Sequence, residues 1–462
     1  MYTTTLRETI EVARPIADCF RYLKDFSSTE QWDPGVYRAV KTTPGPVAFG
    51  TEFDLVLSNF GQRTRMRYRL IELENNCALR LLGTSDNVNA DDRILFFAKG
   101  ASSTRIVYEA KLTLHRVPKT MGRLMQPALR RLGLRAVQGL KTALEIPAAA
   151  APSTAAATLA HKLLLPAALN FTERGYLSMS RKAHSRYMDG KTVVITGPTG
   201  GIGLAAACEL SRLGARLVLV GRGKERLEKA AETIEDFAGE QYGIRLIEAD
   251  LMERDQLQRA ADQILKLEPT LDVLINNAGA LFKDRVNTSD GVERTLAINL
   301  LAPFRLTRDL LPQLAESNGR VINVSSGGQY LQRLDLDDLN FERGAFDGVK
   351  AYARAKRGLI SLTQRWAEQY AAVSFHAMHP GWATTPGVAS SLPAFDRVMK
   401  CFMRDSRMGA DTIVWLASCQ AEAVDTGYFW LDRTPQPVDV LSNTGVMPSQ
   451  AERLQTLLEA LA

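Results

Sequence analysis

The sequence predicts two domains: an α+β domain in which one long helix packs on antiparallel strands, then an α/β domain with a doubly wound parallel sheet. A chain of 462 residues is long enough to bury two or three cores. A low-complexity run of Ala, Pro, Ser and Thr at 146–158 cannot supply a core face and indicates a linker. Before this run, apolar residues recur at every second position, which is typical of strands. After it, predicted strands alternate with predicted helices. The predicted segments are 1–146 (first domain), 147–185 (linker with a short apolar helix), 186–446 (second domain) and 447–462 (helical tail).

Composition excludes several classes of protein. The 45% hydrophobic and 23% charged content is ordinary for a globular chain and argues against a disordered, collagen-like or coiled-coil protein. The five cysteines form no C-x-x-C pair and the five histidines no H-E-x-x-H motif, so we expect neither a disulfide framework nor a metal site. No window has the roughly 18 to 20 apolar residues of a membrane span, and the start lacks the apolar run of a secretory signal. We therefore expect a cytoplasmic protein.

Positive charge is concentrated in the first domain. The chain has a formal net charge of +6. Residues 1–145 contain 22 Lys and Arg residues and 15 Asp and Glu residues, so the whole positive excess lies in this region. Eight basic residues and no acidic one lie between Lys111 and Lys141. This stretch suits either an anionic lipid surface or a solvated helix face, and the apolar segment 159–169 suits an interfacial or a packed helix. Peripheral membrane contact is therefore an open alternative, and we expect no nucleic-acid partner.

The first domain begins with a predicted helix at 16–26 and continues with alternating strands such as 52–57 and 67–73. After His115 the period changes to three and four, which predicts a long amphipathic helix. Its apolar stripe comprises Met125, Leu129, Leu132, Ala136, Leu140 and Ala143. Such a helix over a curved sheet can enclose a cavity.

Three motifs follow in order through this domain: 26–35 (F-S-S-T-E-Q-W-D-P-G), 43–53 (T-P-G-P-V-A-F-G-T-E-F) and 104–110 (T-R-I-V-Y-E-A). Their order resembles the START-like, polyketide cyclase and dehydrase (SRPBCC) superfamily over about residues 3–145. The resemblance implies a helix-grip fold that binds lipids or other apolar small molecules. Trp32 is either a pocket residue or a core residue. We assign no catalysis here, because no carboxylate or histidine constellation indicates it.

A dinucleotide site is predicted where the second domain begins. A buried strand at 192–196 leads into a glycine turn and then a helix that ends at Gly214. Pyrophosphate needs backbone N–H groups and a helix N-terminus at close range, and side chains in the turn would obstruct it. The predicted cofactor-binding residues of this turn are Thr196, Gly197, Thr199, Gly201, Ile202 and Gly203.

The next strand predicts the choice of cofactor. It ends at Arg222, where an acidic residue would accept the ribose 2′-hydroxyl of NAD. Arg222 can instead offer a charge-assisted fork to the 2′-phosphate of NADP, or it is an exposed arginine at a strand end. We expect NADP(H) in preference to NAD(H).

The turn pattern T-G-x-x-x-G-x-G resembles the short-chain dehydrogenase/reductase family, and further motifs follow in that family's order over about residues 186–440. The resemblance implies a Rossmann domain and hydride transfer. The catalytic residues it implies are Asn299, Ser326, Tyr352 and Lys356. The further cofactor-binding residues it implies are Asp250, Leu251, Asn277, Ala278, Gly279, Tyr352, Lys356, Pro380, Gly381 and Thr385.

The residue spacing agrees with this chemistry. Tyr352 and Lys356 lie on one helix face, so the ammonium can lie near the phenol and lower its pKa from about 10. Ser326, at a strand end, can donate a hydrogen bond to the substrate oxygen. The resemblance favours Ser326 over Ser325, implies that Lys356 holds the nicotinamide ribose, and implies that Asn299 positions a relay water.

The separation between Ser326 and Tyr352 is 26 positions, wider than in many members, with the additional stretch at 332–343. This feature resembles the branch that contains retinol dehydrogenases. We expect His376 and His379 to be structural.

The leading hypothesis is an NADP(H)-dependent oxidoreductase of a hydrophobic alcohol or carbonyl, with an apolar ligand in the first domain. The alternative is a lipid-binding or membrane-surface protein whose dehydrogenase domain is an NADP(H)-sensing scaffold. The family resemblance also implies a homo-oligomer.

Overall fold

The computed structural model describes residues 1–59, 62–100, 102–115, 117–145, 171–178, 188–238, 243–383, 403–419, 425–439 and 445–462. The chain forms two compact units, whose described residues lie within 1–145 and 171–462. The predicted linker at 146–158, the apolar segment 159–169 and Thr385 lie outside the described residues. No helix in the described ranges is long and apolar enough to cross a membrane.

The first unit is a seven-stranded antiparallel sheet in the order β1-β7-β6-β5-β4-β3-β2. The strands are β1 Tyr2–Val12, β2 Val36–Lys41, β3 Glu52–Asn59, β4 Gln62–Glu74, β5 Ala78–Thr84, β6 Val88–Ala98 and β7 Thr104–Leu114. The helices are α1 Ile16–Lys24, α2 Thr29–Trp32 and α3 Lys119–Leu144, with a 3-10 turn at Phe26–Ser28. This confirms the predicted α+β class with a long terminal helix.

Helix α3 packs unevenly along its length. Its last two turns bury Val137, Leu140 and Leu144, because Gly139 allows the helix to touch the backbone carbonyl of Trp32, where any Cβ would overlap. Trp32 is 4% exposed and lies in the hydrophobic core. Of the two interpretations of Trp32, the structure favours the core residue.

The second unit is an eight-stranded sheet in the order β10-β9-β8-β11-β12-β13-β14-β15, parallel except for the antiparallel edge strand β15. The strands are β8 Thr192–Thr196, β9 Arg216–Gly221, β10 Ile244–Glu248, β11 Val273–Asn276, β12 Arg320–Val324, β13 Ser374–Met378, β14 Phe429–Leu431 and β15 Thr434–Gln436. The helices are α4 Glu173–Ser178, α5 Gly201–Arg212, α6 Lys224–Ala238, α7 Arg254–Leu267, α8 Arg294–Leu296, α9 Ala302–Glu316, α10 Gly348–Gln369, α11 Ser406–Ser418 and α12 Pro448–Leu461. The predicted doubly wound parallel sheet is confirmed.

The central strands are mostly apolar and buried because helices cover both faces of a parallel sheet. All residues of β8 and β11 are buried. The last helix, α12, contributes Leu454 and Leu458 to the main core and packs on α10 at Gly358. The carboxyl ends of β8, β11, β12 and β13 meet at one edge, where ligands of such sheets bind.

Candidate functional site

The glycine turn lies between β8 and α5. Gly197 has φ +66, and a Cβ there would lie 3.0 Å from the Cα of Ala278, so only glycine fits. Any Cβ on Gly203 would overlap the carbonyl oxygen of Gly197, which places the start of α5 directly on the turn. A Cβ on Gly200 would meet nothing within 4 Å. The space in front of the helix therefore fits a pyrophosphate at a helix N-terminus.

Two predicted cofactor residues hold the turn in place. The Thr196 hydroxyl accepts the N–H groups of Asn277 and Ala278, each at 3.0 Å. The Asn277 side-chain amide donates to the carbonyls of Thr196 at 2.9 Å and Gly197 at 3.1 Å. Ile202 is buried and packs at Gly409 of α11. These polar groups form hydrogen bonds within the protein. They therefore contribute to ligand binding by fixing the shape of the turn.

At the next strand ends, Arg222 follows β9 and Asp250 follows β10. An Arg222 Nη lies 3.4 Å from Asp250 Oδ2, and the Arg222 side chain is 55% exposed. An ion pair this exposed is weak, so the guanidinium is able to turn toward a phosphate. Asp250 also accepts the N–H of Met252 at 3.0 Å, while the side chain of Leu251 is buried in the core.

The structure brings Ser326 and Tyr352 together. The Ser326 hydroxyl lies close enough to the Tyr352 phenol to lower the pKa of that phenol, although the serine follows β12 and the tyrosine lies on α10. Ser326 also caps the 3-10 turn that follows it by accepting the N–H of Gly328 at 3.3 Å. The neighbouring Ser325 donates to the backbone carbonyl of Lys356 at 3.0 Å. Ser326 is therefore the serine that lies beside the phenol.

One electrostatic expectation is wrong. Burial raises the pKa of Tyr352, and the nearby Ser326 hydroxyl offsets only part of that rise. Lys356 Nζ lies 5.7 Å from the tyrosine ring centroid and donates to the carbonyl of Val324 at 2.8 Å. Burial lowers the pKa of Lys356 itself to about 7. The lysine does not lower the phenol pKa here because its own charge is partly lost and desolvation dominates.

Asn299 lies on a π turn, Ala297–Leu301, between α8 and α9. Its amide donates to the carbonyls of Ala280 at 2.7 Å and Thr295 at 2.8 Å, while Oδ1 is buried with no partner among the described residues. A Cβ on Gly279 would lie 2.7 Å from Asn299 Oδ1 and 3.2 Å from Lys356 Nζ. A vacant acceptor and an ammonium that converge on a glycine fit a water molecule or a ribose hydroxyl.

A ladder of buried polar side chains fixes the strand ends beneath these groups. Asn276 donates to Thr307 at 3.1 Å and to Asn323 at 2.9 Å, and Asn323 donates to Thr363 at 2.9 Å. The ladder joins β11 and β12 to α9 and α10. The sequence signal for it is an asparagine that follows apolar residues at the end of β11 and one residue before the end of β12.

The loop after β13 contains Pro380 and Gly381, and a buried arginine fixes it. Gly381 has φ +75, and any Cβ there would overlap the Arg404 side chain. Arg404 is 1% exposed and forms a bidentate pair with Asp432 at 2.6 and 2.7 Å. No local motif indicates this pair, because its members are 28 positions apart.

His376 and His379 are both fully enclosed. Burial lowers the pKa of each to about 3, so both imidazoles are neutral. His376 packs 6.2 Å from the ring of Trp430, whereas His379 lies close to the residue after Ser326. The described residues contain no cluster of His, Cys, Asp or Glu that could hold a metal.

The first domain contains a polar group that the sequence does not indicate. Asp92 on β6 is 4% exposed and lies close enough to the Tyr68 phenol on β4 for the phenol to offset part of the rise in its pKa. The phenol reaches it across β5, over Gly83, where a Cβ would lie 2.6 Å from the ring. Burial raises the pKa of Asp92 to about 7 and that of Asp33 to about 6. Pairing across β4, β5 and β6 brings together two residues that are 24 positions apart in the sequence, and the decision to assign no catalysis to this domain stays a prediction.

Comparisons with known proteins cover both domains. The family model "short chain dehydrogenase" matches residues 191–394, and "Polyketide cyclase / dehydrase and lipid transport" matches residues 3–145. Dehydrogenase/reductase SDR family member 12 of Bos taurus is 39% identical over 300 residues, 63% of this chain and 94% of that protein. A Streptomyces protein provisionally named a daunorubicin C-13 ketoreductase is 38% identical over 255 residues, 54% of this chain and 86% of that protein.

Human retinol dehydrogenase 14 is 33% identical over 305 residues, 60% of this chain and 90% of that protein. Both retinol dehydrogenases and ketoreductases are therefore among the relatives of this oxidoreductase domain. Together with the glycine turn and the four convergent polar residues, these matches assign the second domain. The chain belongs to the short-chain dehydrogenase/reductase family and carries, ahead of that domain, a domain of the polyketide cyclase/dehydrase and lipid transport family.

Proposed function

We propose that the protein interconverts a hydrophobic alcohol and its carbonyl by hydride transfer with NADP(H). The observation that carries the proposal is the contact between the Ser326 and Tyr352 hydroxyls, with Asn299 and Lys356 converging at Gly279. The bound nicotinamide would supply or accept the hydride.

The side chains would handle the proton. Because burial keeps Tyr352 neutral, it is an acid during reduction and donates its proton to the carbonyl oxygen. Ser326 donates a second hydrogen bond to the charge that develops on that oxygen. Lys356, with a pKa of about 7, exchanges a proton at neutral pH, and the free Asn299 Oδ1 lies beside it. The pair would resupply the proton to the tyrosine side of the site.

The cofactor and substrate choices have separate support. Arg222 stands, largely exposed, where NAD-dependent relatives of this fold place an acid. The names of two relatives refer to retinol and to a daunorubicin ketone, which are both bulky molecules. We therefore propose NADP(H) as cofactor and a bulky apolar carbonyl or alcohol as substrate.

Replacement of the acid tests this function. We expect Tyr352→Phe to lower kcat for NADPH-dependent reduction of all-trans-retinal by about 10²- to 10⁴-fold. The NADPH-induced rise in thermal midpoint should remain, because the glycine turn is intact. Tyr370→Phe, at the end of the same helix, is the matched control and should keep full activity. Unchanged turnover in Tyr352→Phe would contradict the mechanism.

For the first domain we propose an apolar ligand with one hydroxyl or carbonyl group, which the buried Asp92 and Tyr68 pair would anchor. The match to a lipid transport family and the grip of α3 on the sheet support this. Retinol fluorescence titration with saturating NADP should give two equivalents per chain. Ala90→Trp, which fills the same buried face of β6, should reduce this to one. One equivalent in the wild type would contradict a ligand in the first domain.

A second candidate function, membrane-surface binding, rests on unpaired charge. Arg130, Arg131 and Arg135 of α3 are exposed and form no ion pair with the described residues. Leu134, between them, is 47% exposed. Six other arginines of the domain each pair with a carboxylate, namely Arg7, Arg21, Arg67, Arg80, Arg93 and Arg105.

An anionic bilayer would complement this face of α3. We expect flotation with phosphatidylserine vesicles at low salt, but not with phosphatidylcholine alone. The triple change of Arg130, Arg131 and Arg135 to Gln should abolish it. The same change at Arg67 and Arg93 should not, because those residues are already paired. Absence of flotation at low salt would contradict this candidate.

A further inference from the structure

Phe171 and the helix α4 that follows it precede the dehydrogenase match, which begins at residue 191. They nevertheless pack at the carboxyl end of β13. The carbonyl of Phe171 accepts the N–H of Trp382 at 2.7 Å. The Phe171 ring lies 4.6 Å from the ring of His379 and 5.7 Å from that of Trp382, edge to face in both cases. The segment is therefore part of the same edge of the sheet as the proposed active site.

The Phe171 ring also reaches the backbone beside the reacting hydroxyls. A Cβ on Gly327 would lie 3.1 Å from Phe171 Cε2 and 2.8 Å from His379 Nε2. Gly327 directly follows Ser326, whose hydroxyl lies near that of Tyr352. The two rings thus occupy the place of a side chain next to the catalytic serine.

A buried charge pair holds the segment in this position. Arg404 donates through Nε to the carbonyl of Thr172 at 3.1 Å while its two Nη atoms engage Asp432. Its guanidinium lies 5.6 Å from the ring of Tyr176. Bidentate pairs fix orientation as well as charge, so the position of Phe171 is closely determined.

The surface formed by these rings is aromatic and uncharged. His379 is 3% exposed, and neither of its ring nitrogens has a partner among the described residues. Its neutral ring packs against Phe171, and Phe171 is the half-buried member of the two, so its ring is the one that a ligand could contact. A flat apolar group is the kind of ligand that such rings pack against.

We propose that Phe171 is a specificity-determining residue that forms the substrate wall beside Ser326 and sets the bulk of the apolar group carried by the reacting carbon. The inference rests on the proposed hydride-transfer function and narrows its substrate to carbonyls or alcohols next to a flat aromatic or polyene group. A segment outside the dehydrogenase match thereby becomes part of its active site.

The test compares two carbonyls of different bulk, benzaldehyde and all-trans-retinal, with NADPH and the full chain. We expect Phe171→Ala to lower kcat/KM for benzaldehyde about tenfold, because the small ring loses its wall, and to leave retinal within about twofold. Phe171→Leu should give an intermediate ratio and guards against poor folding of the alanine variant. Phe237→Ala removes a half-buried ring from α6 and should change neither value. The Kd for NADPH should stay within twofold in all variants.

Other outcomes overturn the inference. Equal losses for both carbonyls, or a weaker NADPH Kd, would show that Phe171 supports the fold without selecting substrate. An unchanged ratio in Phe171→Ala, with turnover lost in Tyr352→Phe, would remove this inference and leave the proposed function intact. If the wild type reduces neither carbonyl and its thermal midpoint does not rise with NADPH, both this inference and the proposed function are wrong.

Discussion

Asp92 in the first domain and Lys356 in the second are buried ionisable groups, and neither forms an ion pair with the described residues. Burial raises the pKa of the carboxyl to about 7 and lowers that of the amine to about 7. Burial disfavours whichever form carries charge, so the two groups approach the same pKa from opposite sides. Both are therefore able to exchange a proton near neutral pH.

The other buried cations of the second domain differ. Arg404 pairs with Asp432 and Arg357 with Asp439, which is how buried charges are usually stabilised. Lys356 instead faces Gly279, where Asn299 Oδ1 also lies without a hydrogen-bond partner among the described residues. The contrast distinguishes Arg404 and Arg357, which have charged protein partners, from Lys356, which we propose interacts with a ligand. By the same criterion Asp92 is the functional candidate of the first domain.

The largest expected effect is on the pH dependence of the second domain. The folded pKa of Lys356 is depressed, so its contribution to stability is complete above its ordinary value of 10.5 and is lost as pH falls to about 7. This amounts to at most about 5 kcal/mol at 1.36 kcal/mol per pKa unit. Lys356→Met should therefore raise the free energy of unfolding, measured in urea, more at pH 7 than at pH 9.5. Lys350→Met on the same helix is the control, and a pH-independent difference in Lys356→Met would contradict the buried charge.

The first domain should show the opposite sign. The folded pKa of Asp92 is raised, so its contribution is complete below its ordinary value of 3.8 and is lost as pH rises to about 7. The loss is at most about 4 kcal/mol on the same scale. We expect Asp92→Asn to protect β5 to β7 from hydrogen exchange at pH 8 relative to wild type, and to match it near pH 4.

The neighbouring carboxylate is a matched control for this experiment. Asp91 points outward and pairs with Arg80 at 2.8 Å, which lowers its pKa below the ordinary value. Asp91→Asn should therefore show no gain between pH 4 and 8. If Asp91→Asn and Asp92→Asn behave alike, the interior position of Asp92 is not what sets the effect.

The two domains also differ in what their sequences predict. In the second domain the chemistry lies in contiguous motifs: the glycine turn follows a strand, and Tyr352 and Lys356 share a helix face by spacing alone. These residues converge in the structure as their motifs indicate. In the first domain the polar group forms from Tyr68 and Asp92, which only strand pairing brings together. The alternation of side chains along each strand predicts that Tyr68 and Asp92 both face inward, but it does not predict that they lie close together.

The same limit applies to two features of the second domain. The pKa of Tyr352 could not be predicted from spacing, because desolvation depends on the whole enclosure and outweighs the lowering effect of Ser326. Arg404 and Phe171 have no local signal, since their partners come from loops that the sheet topology gathers at one edge. Sequence motifs thus specify local geometry, while burial and long-range loop contacts must be observed.

The smallest expected effect concerns an exposed pair, which sharpens the contrast with the buried groups. Arg222→Ser should leave the thermal midpoint nearly unchanged, because an ion pair with Asp250 at 55% exposure contributes little. Loss of a charge-assisted contact to the 2′-phosphate should weaken NADPH binding about tenfold and leave NADH binding unaffected. Asp250→Asn frees the guanidinium and should leave the NADPH Kd equal or lower. Equal losses for both cofactors in Arg222→Ser would mean that Arg222 shapes the loop, and the proposed preference for NADP(H) would lose its support.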